Sequence, residues 1–210
     1  MAIEPLTPVR RRQQTRDHLL AAAAQVFAER GFHGASLDEV AAVAGFTKGA
    51  VYSNFKNKED LFLALFKANY DREMDALRAT LEASDAAPES RLSDFAALIW
   101  EQTRQPGNCG VLYQEFWLYA ARNPEAREQL TRLEDENVRG IAEVLVSERE
   151  RQGLEALESP ERVARVIAVL FHGIGLLGAL QPEVADEALI ETAIALVARA
   201  LGEPTYPIDV

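Results

Sequence analysis

Ser36-Leu37-Asp38-Glu39-Val40-Ala41-Ala42-Val43-Ala44-Gly45-Phe46-Thr47-Lys48-Gly49-Ala50-Val51-Tyr52-Ser53-Asn54 is the stretch on which the reading of the whole chain turns. Ser36 and Glu39 stand at capping-box spacing: the Ser36 hydroxyl accepts from the Glu39 amide, and the Glu39 carboxylate accepts from the Ser36 amide. A helix therefore begins here. Leu37, Val40, Ala41 and Ala44 give it one apolar face, and Gly45 supplies the residue that turns left-handed and ends it without a Cβ clash. Phe46 re-enters the core, Thr47 caps a second helix of about two turns, and Val51 is that helix's one large inward aliphatic. Its outward face, Lys48, Gly49, Ala50, Tyr52 and Ser53, carries no acid. Small side chains let a helix lie deep in a major groove, where hydroxyls and a lysine bond base edges or phosphates.

Helical hairpins with glycine turns are common, so this pattern alone does not decide a function. Residues 36 to 66, running on through Phe55-Lys56-Asn57-Lys58-Glu59-Asp60-Leu61-Phe62, closely resemble the DNA-binding signature of the TetR/AcrR family of transcriptional regulators. The resemblance implies an all-α fold: a three-helix helix-turn-helix head, then a larger helical domain for effector binding and dimerisation, about nine helices in all. It makes the helix starting at Thr47 the recognition helix and puts Tyr52 and Lys58 on phosphates. Asn54 stands where many members have histidine and retains a donor for phosphate. With Ser36, Thr47, Lys48, Gly49, Ala50 and Ser53, these residues form the expected interface with double-stranded DNA, a near-palindromic operator.

The chain of 210 residues has a net charge of −11, which looks wrong for a protein that must neutralise phosphates. The charge is unevenly distributed: residues 1 to 56 are at +2 and the rest at −13. Two domains are expected, a head over 1–56 and an effector and dimerisation domain over 57–210. The single cysteine, Cys109, excludes an internal disulfide framework and fits a reducing compartment. The N-terminus has no apolar signal segment, and the apolar run Val166 to Leu180 falls short of the roughly 20 residues that span a bilayer, so a cytoplasmic protein without a membrane partner is expected. No metal-ligand cluster, phosphate-binding glycine loop or nucleophile motif appears, so neither catalysis nor a cofactor is expected.

Outward from the head, residues 1 to 13 mix prolines with Arg10-Arg11-Arg12 and read as a flexible basic arm, either touching DNA or merely solubilising. Thr15 to Arg30 reads as the first helix, closed by Gly31. Asn57 caps a long fourth helix running to about Leu81. Lys58 sits at its positive end, where a nearby phosphate would explain a cation. Further helices are expected over Arg91–Arg104, Val111–Arg122, Pro124–Gln152, Pro160–Leu180 and Val184–Leu201, with Asn123 and Ser159 as caps before first-turn prolines.

Two groups in this region bear on function. Trp100, Cys109, Tyr113, Phe116, Phe171 and His172 are candidates to line a cavity for a hydrophobic or aromatic small molecule, although aromatics also simply fill cores. Glu101 and Glu115 would favour a cationic ligand if they pointed inward. The last helix pair, apolar nearly all round, reads as a four-helix homodimer interface built from Val166, Leu170, Gly173, Ile174, Leu177, Ile190, Ile194 and Val197.

Overall fold

The computed structural model describes residues 7–83, 97 and 110–200. Apart from Ala97, the helix read over 91–104 lies outside them, as do Trp100, Glu101 and Cys109. The described residues form eight helices: α1 Pro8–Gly34, α2 Leu37–Ala44, α3 Lys48–Asn54, α4 Lys58–Ala83, α5 Gly110–Arg122, α6 Pro124–Gln152, α7 Pro160–Leu180 and α8 Glu187–Ala200. The fold is all-α, as the sequence predicts.

The basic arm is not an arm from Pro8 onward. The Thr7 hydroxyl accepts from the Arg10 amide at 3.3 Å and Pro8 stands in the first turn, so Arg10, Arg11 and Arg12 lie on α1. A threonine cap followed by proline starts a helix whatever the charge of the next turn. At the other end Gly31 adopts φ +68 and kinks the chain before one more turn to Gly34.

The expected chemistry of α2 and α3 is present. Ser36 and Glu39 form the capping box, Gly45 closes α2 at φ 70, and the Thr47 hydroxyl accepts from the Ala50 amide. The Asn57 side chain caps α4, accepting from the Asp60 amide at 2.8 Å. The later caps differ. Asn123 and Ser159 make no capping bond, and the Asn123 amide group donates instead to the Tyr119 carbonyl, leaving the first-turn prolines to start α6 and α7.

One core runs through the head and beyond it. Leu19, Phe27, Phe32, Val40, Val51, Phe55, Leu61 and Phe62 are continuous with Tyr113, Phe116 and Ala120 of α5 and Leu130 of α6. Charge changes sign at residue 56, while the packing runs across that point. A second seam joins α6 to α7 through Val138, Ala142 and Ala164, and a third joins α7 to α8 through Ile174, Ile190 and Ile194.

This settles which apolar residues of the last pair face inward. Ile190 is wholly buried, and Ile174 and Ile194 nearly so, within one copy of the chain, so they cannot form a dimer contact. Both helices are apolar on several sides, and the isoleucines pack against each other before any partner is reached. The exposed stripe on α7 is Val166, Val169, Gly173, Leu176 and Leu180, with Leu196 on α8. Helix α7 is also longer than the apolar run read from Val166. At 21 residues, with a window of mean hydropathy 2.0, it could cross a membrane by length and composition, yet two of its sides pack on α6 and α8.

The aromatic heart of the fold is Phe62, fully buried, with Phe27, Phe32, Phe66 and Phe116 around it at 4.6–5.0 Å between ring centres. Replacing Phe62 with Ala is expected to cost about 3–5 kcal/mol through lost transfer energy and the cavity left behind. Urea unfolding checks this, and a loss under about 1 kcal/mol would show that the neighbouring rings collapse into the gap.

Candidate nucleic-acid interface

Helix α3 has seven residues and one buried side chain, Val51. Packing alone fixes so short a helix poorly, and its ends are held by polar contacts instead. At the C-terminal end the Ser53 hydroxyl and the Asn54 amide group both donate to the Ala50 carbonyl, at 2.9 and 2.8 Å. Arg12 donates to the Ser53 carbonyl at 3.4 Å and Arg16 to the Asn54 carbonyl at 3.1 Å. Thr47, Lys48, Gly49, Tyr52 and Ser53 are exposed on one continuous surface with Ala50 half-exposed among them, so the structure brings the sequence-predicted face together. Ser36 sits apart from it, in the capping box.

Two of the expected contacts look different in detail. The Lys48 ammonium is ion-paired with Asp38 across the α2–α3 turn, which raises its pKa. Lys58 does not stand free at the head of α4. Its ammonium donates to the carbonyls of His33 and Ala35 at 3.2 and 3.1 Å and lies 4.7 Å from the centre of the Phe32 ring, and partial burial lowers its pKa. The cation at this helix start is thus accounted for inside the protein by the carbonyls that end α1, without a phosphate.

The same turn is gripped from the other side. The Glu115 carboxylate accepts from the Phe32 amide at 2.7 Å, so it does not face a cavity for a cation. A Cβ on Gly31 would meet a Glu115 oxygen at 2.9 Å, the movable end of a side chain, so it is the positive φ that calls for glycine there. Tyr119, one turn along α5, packs on Phe32 and His33 and donates its hydroxyl to Glu59 at 2.8 Å. Helix α5 therefore touches both the end of α1 and the start of α4.

Of the candidate cavity residues, Tyr113 and His172 stack at 4.4 Å, and the Tyr113 hydroxyl donates to Glu134. Burial, reinforced by Glu134, pushes the Tyr113 hydroxyl up, and burial pulls the His172 imidazole down. Phe116 points instead into the core around Phe62, and Phe171 packs on the α7–α8 seam. An open cleft of about 320 Å³ lies elsewhere, between α4 and α6, lined by Lys67, Tyr70, Asp71, Arg78, Glu136 and Asn137 among others.

The geometry is that of a short, largely exposed helix on a three-helix head, joined by a long helix to a larger domain. Residues 19–65 match the family described as bacterial regulatory proteins, tetR family, and residues 88–202 match the BetI-type transcriptional repressor C-terminal family. The chain belongs to the TetR family. This TetR-family chain is a DNA-binding transcriptional regulator and not an enzyme. It is 30% identical over 172 residues to the transcriptional regulator BetI of Serratia proteamaculans, covering 81% of this chain and 82% of that one. A TetR-family regulator from Rhodococcus sp. superposes with a TM-score of 0.71 at 26% identity, over 88% of this chain and 98% of that one. The regulator FadR of Bacillus subtilis, solved in complex with stearoyl-CoA, shares the fold with a TM-score of 0.65 at 18% identity, over 88% and 96% of the two chains.

Sequence reasoning missed Asp38 as partner of Lys48, Arg12 and Arg16 as partners of α3, and Glu115 as a link to the head. Each pairing spans a turn or a long separation, and no local pattern announces it. Asp38 leaves a negative group beside the face expected to read DNA, so Asp38→Asn should free Lys48 and raise DNA affinity at low salt. The slope of log affinity against log salt should steepen by up to about 0.9 for one added phosphate contact. Anisotropy titrations over a salt series check this. A fall in affinity would show that the pair positions Lys48 for DNA.

Proposed function

We propose that the protein is a homodimeric repressor that binds a near-palindromic operator and releases it when a small molecule enters the larger domain. The observation that carries this reading is the hydrogen bond from the Phe32 amide to Glu115, which ties α5 of the larger domain directly to the end of α1. Two turns of α5 hold Tyr113 against His172 and Glu134 in the interior, and Glu115 and Tyr119 against the head. A ligand that displaces Tyr113 moves the whole rigid helix and with it the Phe32 turn. Such coupling is typically worth about 1–3 kcal/mol.

In this reading Thr47, Lys48, Gly49, Ala50 and Tyr52 contact DNA, and residues 57–210 form the effector and dimerisation domain. The effector is an apolar or aromatic small molecule, because Tyr113 and His172, stacked where α5 meets α7, are the residues offered to it. The binding of stearoyl-CoA by the Bacillus FadR, which shares this fold, supports a ligand of that character.

The dimer face is the stripe Val166, Val169, Gly173, Leu176 and Leu180, spaced by threes and fours along α7. Val169 is 65% exposed and Leu180 73%, values that a lone surface helix rarely carries in a row. Nothing lies within 4 Å of a Cβ built on Gly173, so the middle of the stripe is open to close helix approach. An operator read in successive major grooves requires the two reading helices to sit about 34–36 Å apart, one helical turn of DNA.

A mobility shift with DNA flanking the gene tests the function. Two protomers per site and release by at least one member of a panel of apolar compounds are expected. Binding by single protomers would overturn the dimer, and a complex that survives every compound would point to a regulator without an effector. Separately, Val169→Asp should sediment as a monomer and lose operator binding, whereas an unchanged dimer would refute the α7 stripe.

A further inference from the structure

We infer that Arg16 is a positioning residue that sets the pose of the recognition helix, and not a phosphate contact. The inference rests on the reading of α3 as the recognition helix. Arg16 lies on α1, half-buried, with its guanidinium 4.4 Å from the centre of the Phe55 ring while one of its N–H groups donates to the Asn54 carbonyl at 3.1 Å. Asn54 is the last residue of α3 and Phe55, nearly fully buried, is its C-cap. One side chain of α1 thus holds both the terminal carbonyl of the reading helix and the ring that follows it.

The need for such a brace follows from the helix itself. The carbonyls of a helix's last turn have no partners within it, and α3 has no basic residue in its own last turn to meet them. Val51 is its one buried side chain, so packing leaves rotation of the helix about that point weakly resisted. Thr47 holds the N-terminal end through the Ala50 amide, and Arg16 holds the C-terminal end. Arg12 adds an outer bond to the Ser53 carbonyl, exposed and longer. A guanidinium presents its donors in a rigid planar fork beside the ring, whereas a lysine at this position would offer a point charge on a flexible stem without that fixed direction. The bond to the Asn54 carbonyl and the contact with the Phe55 ring hold the guanidinium against the head.

The two roles separate by experiment, with the full-length protein and a duplex that the unaltered protein is first shown to shift. Arg16→Lys keeps the charge and removes the geometry. A positioning role predicts that affinity for that duplex falls by about tenfold, in keeping with the loss of a charged hydrogen bond. The salt slope should stay at the unaltered value, and the amides of residues 48–55 should exchange faster with solvent in the absence of DNA. Retained affinity in Arg16→Lys, or unchanged amide exchange, would overturn the inference. So would a salt slope lowered by about 0.9 in Arg16→Gln, the mark of one lost phosphate contact. Phe55→Leu gives a second route that leaves every charge in place: it should quicken exchange of the same amides, and no change there also counts against the brace. Failure of the unaltered protein to shift any duplex would instead strike at the reading of α3, and the exchange measurement, which needs no DNA, keeps the two failures apart.

Discussion

A helix of seven residues with one buried side chain cannot fix its own direction, and α3 is such a helix. Its small outward face suits the floor of a groove, but small side chains bury little and orient little. Direction must therefore be imposed from outside, at the two ends. The fold meets this constraint with a hydroxyl cap at Thr47 and with guanidinium groups from α1 at the far end, and α1 is in turn fixed by the core it shares with α2 and α4. The proposed reading surface, made of glycine, alanine and threonine, thus depends on residues that are not part of it.

The same logic applies one level up. The head is too small to be indifferent to what it packs against, and its core continues through Phe32 and Phe62 into Phe116 of α5. The turn from Phe32 to Ala35 is where these contacts converge. Lys58 of α4 holds two of its carbonyls, and Glu115 of α5 holds one of its amides. Gly31 supplies the left-handed bend. In a protein whose proposed task is to transmit displacement from one domain to another, the joint is made of backbone groups and fully buried rings, both of which resist gradual deformation.

The helices of the head were legible in the sequence because their signals are local: a capping box, a glycine at the end of α2, a threonine before α3, an asparagine before α4. Each is decided within four or five residues. The N-terminal extension of α1 was not, because three arginines and two prolines look like a disordered arm until the Thr7-Pro8 start is recognised. The roles of Lys58, Asp38, Arg16 and Glu115 were illegible for a different reason. Charge at a position is visible in a sequence, but its partner here lies as far as 83 residues away, and a cation that ends on carbonyls reads the same as one that ends on phosphate. The isoleucines of α7 and α8 illustrate the limit for apolar groups. Composition shows that such helices are buried on more than one side, and only the packing shows which side belongs to the same chain.

Charge distribution links these levels. The head is nearly neutral overall, and Asp38 stands on its reading side, so one copy has little non-specific attraction for a polyanion. The larger domain, at −13, repels DNA wherever the head does not hold it at a distance. Affinity must then come from many correctly placed short contacts made at once, which a misaligned or solitary head cannot supply. In the proposed dimer the α7 stripe supplies the second head, and the braces on α3 supply the alignment. In the proposed dimer, alignment of this kind is lost through small angular errors, so a displacement at the Phe32 turn too slight to disturb the fold would change what the proposed recognition helices reach.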